Sequence, residues 1–371
     1  MVRTGLDNVI ENLPKTWRWK RLGLLTNMAA VTQDLTDAAL ALRRAGANIV
    51  LLFTPEHGMF TSAPPGEAVP DAHEPRLDIP IVSLYGNLRA PTPSHLANLD
   101  LLIIDLPDVG TRFFTYASTM IETMQAASEA EVPVVILDRP NPLTGVYMEG
   151  PILEPRLTSF VGMLPIPVRH GRTMGELALI ATNVLELDVD IDVIPVTGWE
   201  RSWWYDAWMT SWVPPSPNLP SGEAALLYPG VGLVEGTNLS EGRGTPYPFQ
   251  VVGAPWLDAF RLADDLNNAG LPGVRFRPVS FTPTTSKHAG KTCYGVQIHV
   301  VDRNAFRPVR TGLAIIALAR AQNPARFHFL RTSDGTYWFD RLLGRSTPRQ
   351  RIQAGLSWRE SIDMWEWVDE P

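Results

Sequence analysis

Cysteine and clustered histidine are nearly absent from this sequence of 371 residues, which contains one cysteine, Cys293, and seven histidines. One cysteine cannot form an internal disulfide, and the histidines lie too far apart for an H-x-x-x-H zinc site. No stretch approaches the roughly 20 apolar residues that cross a membrane. The sequence therefore predicts no bound metal, no cofactor and no membrane span.

Several common chemical motifs are also missing. There is no G-x-S-x-G elbow, no P-loop, and no G-x-G-x-x-G after the first predicted strand, so a nucleotide lacks its usual phosphate cradle. A net charge of −7 and a pI near 5.6 argue against a nucleic-acid partner. The N-terminal stretch lacks the apolar core of a secretory signal, which predicts a cytoplasmic chain unless an export segment has been removed.

Proline and tryptophan are abundant, with 33 and 12 residues. Tryptophan faces are good platforms for sugar rings, although most tryptophans are core or interface residues. The cluster WERSWWYDAW at 199–208 therefore has two interpretations, which are packing between domains and contact with a sugar.

Short apolar runs alternate with helical patterns through the first half of the chain. The runs are Leu22–Leu25, Ile49–Phe53, Ile81–Tyr85, Leu101–Leu106, Val132–Leu137 and Ile191–Val196. Nearly continuous apolar runs of this length are typical of strands buried on both faces of a parallel sheet. Helices are predicted over Thr36–Arg44 and Ser118–Ala130, and a capping-box pattern at Thr173 precedes a third over Leu177–Leu185.

This alternation of strands and helices ends at VPPSPNLPSG, residues 213–222. The stretch is rich in proline and other turn formers, which is typical of a domain boundary. We predict an α/β fold with a Rossmann-like, doubly wound parallel sheet domain over residues 1–215. A smaller α+β domain is predicted over residues 216–371. It begins with a glycine-rich polar stretch and continues with helices at Pro255–Ala269 and Arg310–Gln322 and a strand at Val296–Val301.

Polar side chains follow three of the predicted strands at their carboxyl ends, where ligands bind in doubly wound sheets. These side chains are Glu56, His57, Asp108, Arg112, Asp138 and Asn141. Further polar candidates in the turns and in the second half are His170, Asn218, Glu235, Asn238, Glu241 and Arg243. Several carboxylates at one rim suit general acid–base chemistry on a neutral, hydroxyl-rich substrate, and glycoside hydrolysis is the obvious reaction.

Each candidate also has a structural interpretation. Asp138 can form an Asx turn, and His170 can support the turn before a capped helix. Glu56 can hold the end of its strand through hydrogen bonds, and Glu235 or Glu241 can hold a loop. The residue types alone leave these alternatives open.

An ordered series of motifs nevertheless resembles one family. The motifs are PEHG (55–58), SLYG (83–86), DVGTRFFTY (108–116), LDRPNP (137–142), EGP (149–151), SFVG (159–162), RHGRTMGELA (169–178), PPSPNLP (214–220), EGTNLSEGRGT (235–245) and GAPW (253–256). They cover nearly the whole chain and resemble the DUF1343 family, whose characterised members are exo-β-N-acetylmuramidases of the NamZ type. The resemblance implies a cofactor-free glycoside hydrolase that releases terminal N-acetylmuramic acid from the non-reducing end of peptidoglycan fragments, with its active site in a cleft between two domains.

The resemblance also implies roles for particular residues. Glu56 falls on the family's favoured catalytic carboxylate, and His57 either orients it or bonds the loop. The second carboxyl group is expected from Asp108, Glu235 or Glu241. Sugar contacts are expected from Arg112, Asp138, Asn141, His170, Asn218, Asn238 and Arg243. Among these, Arg112 and Arg243 are the candidates for the lactyl carboxylate of muramic acid, because an arginine fork suits a planar anion.

The chain departs from the family pattern at one wall. Family members usually have Q-D-V-G and R-F-Y-T-Y, whereas this chain has Pro107 before Asp108 and Phe114 in place of a tyrosine. Two alternatives to the interpretation as a muramidase therefore stay open. One is a non-catalytic muropeptide- or sugar-binding protein, and the other is a glycosidase for a different acidic amino sugar.

Overall fold

The computed structural model describes residues 2–362 and 367–370. These residues divide into two compact units. Unit 1 comprises residues 1–110, 114–146 and 171–220, and unit 2 comprises residues 111–113, 147–170 and 221–371. The domain limits predicted above, 1–215 and 216–371, stay a prediction.

The strands, numbered along the chain, are β1 Leu22–Leu25, β2 Ile49–Thr54, β3 Ala72–Glu74, β4 Ile79–Ser83, β5 Leu101–Ile104, β6 Val134–Leu137, β7 Met148–Pro151, β8 Ile191–Ile194, β9 Val251–Ala254, β10 Val274–Phe281, β11 Cys293–Val300 and β12 Trp367–Glu370. The α-helices are α1 Gly5–Glu11, α2 Ala38–Ala45, α3 Pro93–Leu96, α4 Tyr116–Glu129, α5 Met174–Val184, α6 Gly222–Val231, α7 Ala259–Asn267, α8 Pro308–Gln322, α9 Trp338–Leu343, α10 Thr347–Gln353 and α11 Trp358–Ser361. Short 3-10 helices occupy Lys15–Arg18, Pro155–Leu157, Tyr205–Ala207 and Gly232–Gly236.

Unit 1 is built on a seven-stranded sheet in the order β3-β4-β2-β1-β5-β6-β8. All neighbours are parallel except the edge strand β3, which pairs antiparallel with β4. Counting only the parallel strands along the chain, this is the Rossmann order, and it reverses between β1 and β5. Both strands are buried along their whole length. The predicted doubly wound sheet is confirmed, and its crevice for ligands lies beyond the carboxyl ends of β1 and β5.

Unit 2 contains a three-stranded antiparallel sheet in the order β10-β11-β9 and a two-stranded pair of β7 and β12. Its helices include α8, whose first backbone N–H groups at Val309 and Arg310 donate to the buried Glu149 carboxylate at 3.0 and 2.8 Å. A carboxylate is favourable there because a helix N-terminus carries partial positive charge. The prediction of a smaller α+β part of the chain is confirmed.

The predicted elements recur with small shifts. The Val132 run becomes strand only from Val134, because Pro133 has no N–H for the ladder. The glycine-rich polar stretch predicted after residue 222 begins with a helix that was not predicted, α6, which forms behind the N-cap Ser221. The glycines of that helix allow close packing, since a Cβ on Gly230 would lie 1.8 Å from the Pro308 carbonyl oxygen of α8.

In the described part of the chain, no helix is long and apolar enough to cross a membrane.

Candidate active site

Glu56 lies in unit 1 two residues after the end of β2, and the residue is only 8% exposed. One carboxylate oxygen accepts a hydrogen bond from the Gly66 backbone N–H at 2.9 Å. The other accepts from the Thr115 hydroxyl at 2.6 Å. The carboxyl group is therefore held at both oxygens on the edge of the sheet where ligands bind.

The beginning of α4 holds Glu56 through two consecutive residues. Thr115 is the N-cap of this helix, but its hydroxyl makes no capping bond and is directed to Glu56 instead. The Tyr116 hydroxyl lies 3.2 Å from the Glu56 carbonyl oxygen and 2.5 Å from that of Pro215. An N-cap threonine usually stabilises its own helix, so its use here gives up local stability to position a carboxyl group.

Tyr85 is a further neighbour of Glu56. Burial and then the Glu56 carboxylate, which also accepts a hydrogen bond from the phenol, raise the pKa of Tyr85 to about 12. The Arg89 guanidinium lies over the Tyr85 ring at 4.2 Å from its centroid. A neutral phenol at ordinary pH can donate to a carboxylate or to a sugar oxygen.

His57 shapes the loop that follows Glu56. Its Nδ1 lies 2.7 Å from the Ala63 carbonyl oxygen, and its own carbonyl accepts from the backbone N–H groups of Ser62 and Ala63. His57 has a φ of 71° and Gly58 a φ of 73°, so two successive residues adopt the left-handed conformation. For histidine this conformation is strained, and such strain collects where function requires a particular backbone path.

Asp108 follows β5 and is buried, and its carboxylate accepts from the Gly110 N–H at 2.6 Å. Asp105, which directly follows β5, is fully buried and forms a bidentate ion pair with Arg139 at 2.5 and 2.9 Å. Of these three side chains, Asp108 is the one that sequence analysis predicted as catalytic. It shares unit 1 with Glu56.

Asp138 and Asn141 bond backbone in unit 1. One oxygen of Asp138 accepts from the N–H groups of Gly175 at 2.7 Å and Arg139 at 2.9 Å, so it holds the first turn of α5. Burial raises the pKa of Asp138, and these hydrogen bonds oppose that rise. Asn141 accepts from the Leu143 N–H at 2.8 Å and donates to the Arg172 carbonyl at 3.0 Å.

Arg112 is buried in unit 2 and faces carbonyl groups. Its two terminal nitrogens donate to the carbonyl oxygens of Pro151, Ile166 and Leu342 at 2.9, 2.6 and 3.1 Å. Burial lowers the pKa of Arg112 to about 9. The predicted role of Arg112, binding a substrate carboxylate with its two terminal nitrogens, stays a prediction. The same two nitrogens already donate to these carbonyl groups.

Arg243 and its partners form an ionic cluster in unit 2. The guanidinium pairs with Glu235 at 2.7 Å and with Glu241 at 3.3 Å, and Lys287 pairs with Glu241 at 2.8 Å. Burial disfavours the charged form of Arg243, but Glu235 and Glu241 outweigh it and raise its pKa above the usual range. Two carboxylates are thus balanced by two cations.

The remaining candidates differ in burial and in the hydrogen bonds of their side chains. Asn238 bonds backbone at both ends of its side chain, donating to Arg326 at 2.8 Å and accepting from His328 at 3.0 Å. His170 is buried in unit 2. The half-buried Asn218 in unit 1 has no side-chain hydrogen bond to any described residue, which leaves its amide open to a ligand.

Replacing Arg243 with methionine is expected to lower the free energy of unfolding by about 2 kcal/mol. This loss is smaller than the roughly 3–5 kcal/mol expected when one partner of a fully buried ion pair is removed, because the Glu235 side chain is 22% exposed. Thermal melting measures it, with Arg261→Met as control, since the Arg261–Asp265 pair is exposed and its loss should cost under about 0.5 kcal/mol. Equal melting shifts in the two variants would contradict the structural importance of this cluster.

Tyr85 and Thr115 are site residues that the sequence alone does not single out. They stand in the motifs SLYG and DVGTRFFTY, but a tyrosine and a threonine among apolar neighbours do not draw attention by themselves. Their importance comes from contact with Glu56, and no spacing along the chain encodes that contact. Among the described residues, no group of three or more His, Cys, Asp or Glu side chains could hold a metal ion.

Comparison with known proteins gives a consistent result over the whole chain. The model of exo-beta-N-acetylmuramidase NamZ, N-terminal, matches residues 22–223, and that of its C-terminal part matches residues 226–368. The peptidoglycan beta-N-acetylmuramidase NamZ of Bacillus subtilis (strain 168) is 43% identical over 366 residues, which is 98% of this chain and 87% of the relative.

Two crystal structures agree. Both are of DUF1343 family proteins from Bacteroides fragilis NCTC 9343, with TM-scores of 0.89 and 0.76 at 34% and 31% identity. Each alignment covers 97% of this chain and 93% of the other. A buried carboxyl group at a ligand-binding edge and these matches define a glycoside hydrolase. The chain belongs to the NamZ family of exo-β-N-acetylmuramidases.

Proposed function

We propose that this chain releases terminal N-acetylmuramic acid from the non-reducing end of peptidoglycan fragments, with Glu56 as the catalytic acid and base. The similarity along the whole chain to an enzyme named for peptidoglycan supports the substrate. The observation that carries the catalytic role is the placement of Glu56, buried at the end of β2 with its two oxygens held by Gly66 and Thr115.

The hydrogen bonds of Glu56 suit proton exchange. The Gly66 N–H can only donate, so the oxygen that it contacts is kept as an acceptor. The Thr115 hydroxyl can donate to the ionised carboxylate or turn and accept from the protonated acid. A carboxyl group that passes a proton to a leaving oxygen and then takes one from water needs a partner of this kind.

Asp108 is our candidate for the second carboxyl group. It lies in the same unit as Glu56, at the end of β5. Glu235 and Glu241 are each paired with a cation, which favours a structural role. Whether the reaction retains or inverts the anomeric centre depends on the separation of the two carboxyl groups, roughly 5 Å against 6.5–9.5 Å.

Turnover of 4-nitrophenyl β-N-acetylmuramide, compared with the β-N-acetylglucosaminide that lacks the lactyl group, tests the proposed function. We expect hydrolysis of the first and little of the second. No turnover of either by folded protein would favour a sugar-binding protein. Faster turnover of another acidic amino sugar would move the assignment to a different substrate.

Replacing Thr115 with valine is expected to lower kcat/KM about tenfold, mainly through kcat. The reason is that the Glu56 carboxyl group loses one of the two groups that hold it in position. Melting should change little because α4 loses no capping bond. Thr115→Ser keeps the hydroxyl and should restore kcat. An unchanged kcat in the valine variant, or no rescue by serine, would contradict the positioning role.

The cytoplasmic location and the lack of a nucleic-acid partner stay predictions. Fractionation of cells that make the full chain, with assay of muramidase activity in the lysate and the medium, tests the first of these.

A further inference from the structure

A pocket opens in unit 1 at the place where the strand order of the sheet reverses. Its walls include Val31 after β1, Asp108 after β5, Arg139 after β6, and Trp208 and Trp212. This position is the general ligand site of doubly wound folds. Of the two proposed catalytic residues, Asp108 lines this pocket and Glu56 is not among the described residues that do. The pocket therefore borders the reacting sugar and takes the group next to it.

The tryptophan wall is a fixed surface. We call residues 208–215 the Trp segment. The Thr210 hydroxyl bonds Gln33 at 3.0 and 3.1 Å, which ties the segment to the loop after β1. The Trp212 indole N–H donates to the Leu219 carbonyl at 2.9 Å, so the ring has a defined orientation. Both tryptophans are half-buried, which leaves ring surface open to a ligand.

The charges in the pocket favour a neutral ligand. The Arg139 guanidinium donates through two nitrogens to Asp105 and through the third to the Val31 carbonyl oxygen, so its charge is already paired within the protein. Asp108 is part of the wall. A carboxylate ligand would be repelled by Asp108 with no spare cation to offset the repulsion, whereas a neutral ring would not be.

The pocket is connected to Glu56 by hydrogen bonds. The Tyr116 hydroxyl lies between the carbonyl oxygens of Glu56 and of Pro215, which is the end of the Trp segment. The Thr61 hydroxyl, in the loop after Glu56, donates to the Pro214 carbonyl at 3.2 Å. A ring stacked on the Trp segment would therefore lie next to the residue that carries the catalytic carboxyl.

We propose that this pocket binds the sugar on the leaving-group side of the scissile bond, a neutral N-acetylhexosamine whose ring stacks on Trp212 and Trp208. The inference rests on the proposed function, because it takes Glu56 as the catalytic group. Stacking supplies binding, and the lack of a free cation excludes a second acidic sugar.

The test compares two substrates with the same reacting sugar. One is the methyl β-glycoside of N-acetylmuramic acid, which has no ring to place in the pocket. The other is the disaccharide of N-acetylmuramic acid β-linked to N-acetylglucosamine. Wild-type protein should prefer the disaccharide, and Trp212→Ala should lower that preference, as a ratio of kcat/KM values, by about tenfold. Trp212→Phe, which keeps a ring, should lower it less.

Trp19→Ala is the matched control, since Trp19 is 83% exposed and lies outside the pocket. An unchanged preference in active Trp212→Ala would overturn the proposal. If wild-type protein hydrolyses neither glycoside, the proposed function itself fails. If it hydrolyses both without preference, the proposed function stands and the pocket assignment fails.

A measurement on wild-type protein keeps the test valid if Trp212→Ala does not fold. N-acetylglucosamine should change the tryptophan fluorescence saturably, whereas glucuronic acid at the same concentration should not. No saturable change with N-acetylglucosamine, or an equal one with glucuronic acid, would overturn the assignment.

Discussion

Replacing Glu56 with glutamine is expected to lower kcat/KM for methyl β-N-acetylmuramide by about 10³-fold, with melting within about 2 °C of wild type. Glutamine has nearly the same shape, and its oxygen can still accept from Gly66 while Thr115 turns to accept from its amide. The fold therefore keeps its contacts, and the reaction loses its acid. Steady-state kinetics together with a thermal melt measures both.

A second leaving group shows which role Glu56 plays. The 4-nitrophenyl glycoside leaves without much help from an acid, so loss of a general acid should affect it far less than the methyl glycoside. Equal loss on both substrates would instead indicate a nucleophile or a base acting on water. Full activity of a folded Glu56→Gln protein would remove Glu56 from the mechanism and leave Asp108 as the first candidate.

Replacing Arg112 with methionine is expected to lower the free energy of unfolding by about 4 kcal/mol. Three buried carbonyl groups, those of Pro151, Ile166 and Leu342, would lose their donor, and each unsatisfied group costs about 1–3 kcal/mol. Loss of a buried charge offsets part of this cost. Chemical or thermal unfolding measures the change.

The control for Arg112→Met is Arg156→Met in the same unit, because the Arg156 side chain is 65% exposed and its pair with Glu154 should contribute under about 0.5 kcal/mol. KM of the Arg112 variant, which does not depend on how much of the protein is folded, should stay within about twofold of wild type. A well-folded variant with a large rise in KM would show that Arg112 binds the lactyl carboxylate, as sequence analysis predicted.

The parallel sheet could be predicted from the sequence because strands buried on both faces leave nearly continuous apolar runs. Leu22–Leu25 is predicted and observed with the same limits. Helix α6 could not be predicted in this way. Its stability depends on contact with α8 through Gly230 and Gly312, and single glycines in a sequence look like turn formers.

For the site, the sequence identifies residue types but not their partners. Arg112 and Arg243 look alike in a motif, yet one faces carbonyl groups and the other faces two carboxylates. Thr115 looks like a helix cap, and only its contact with Glu56 shows that its hydroxyl is used elsewhere. The partners of Arg112 and Thr115 lie at least 39 residues away along the chain, so local patterns do not contain them, whereas the carboxylates of Arg243 stand in its own motif.

The Tyr116 hydroxyl has one hydrogen and two acceptors, the carbonyl oxygens of Glu56 and Pro215. It cannot satisfy both fully, so each contact is weaker than an ordinary hydrogen bond of its length. Pro215 is the nearer acceptor, so the same side chain fastens the end of the Trp segment and borders the backbone of the catalytic residue. A substitution that displaces the Trp segment is therefore expected to disturb Glu56 as well, which couples ring binding to catalysis.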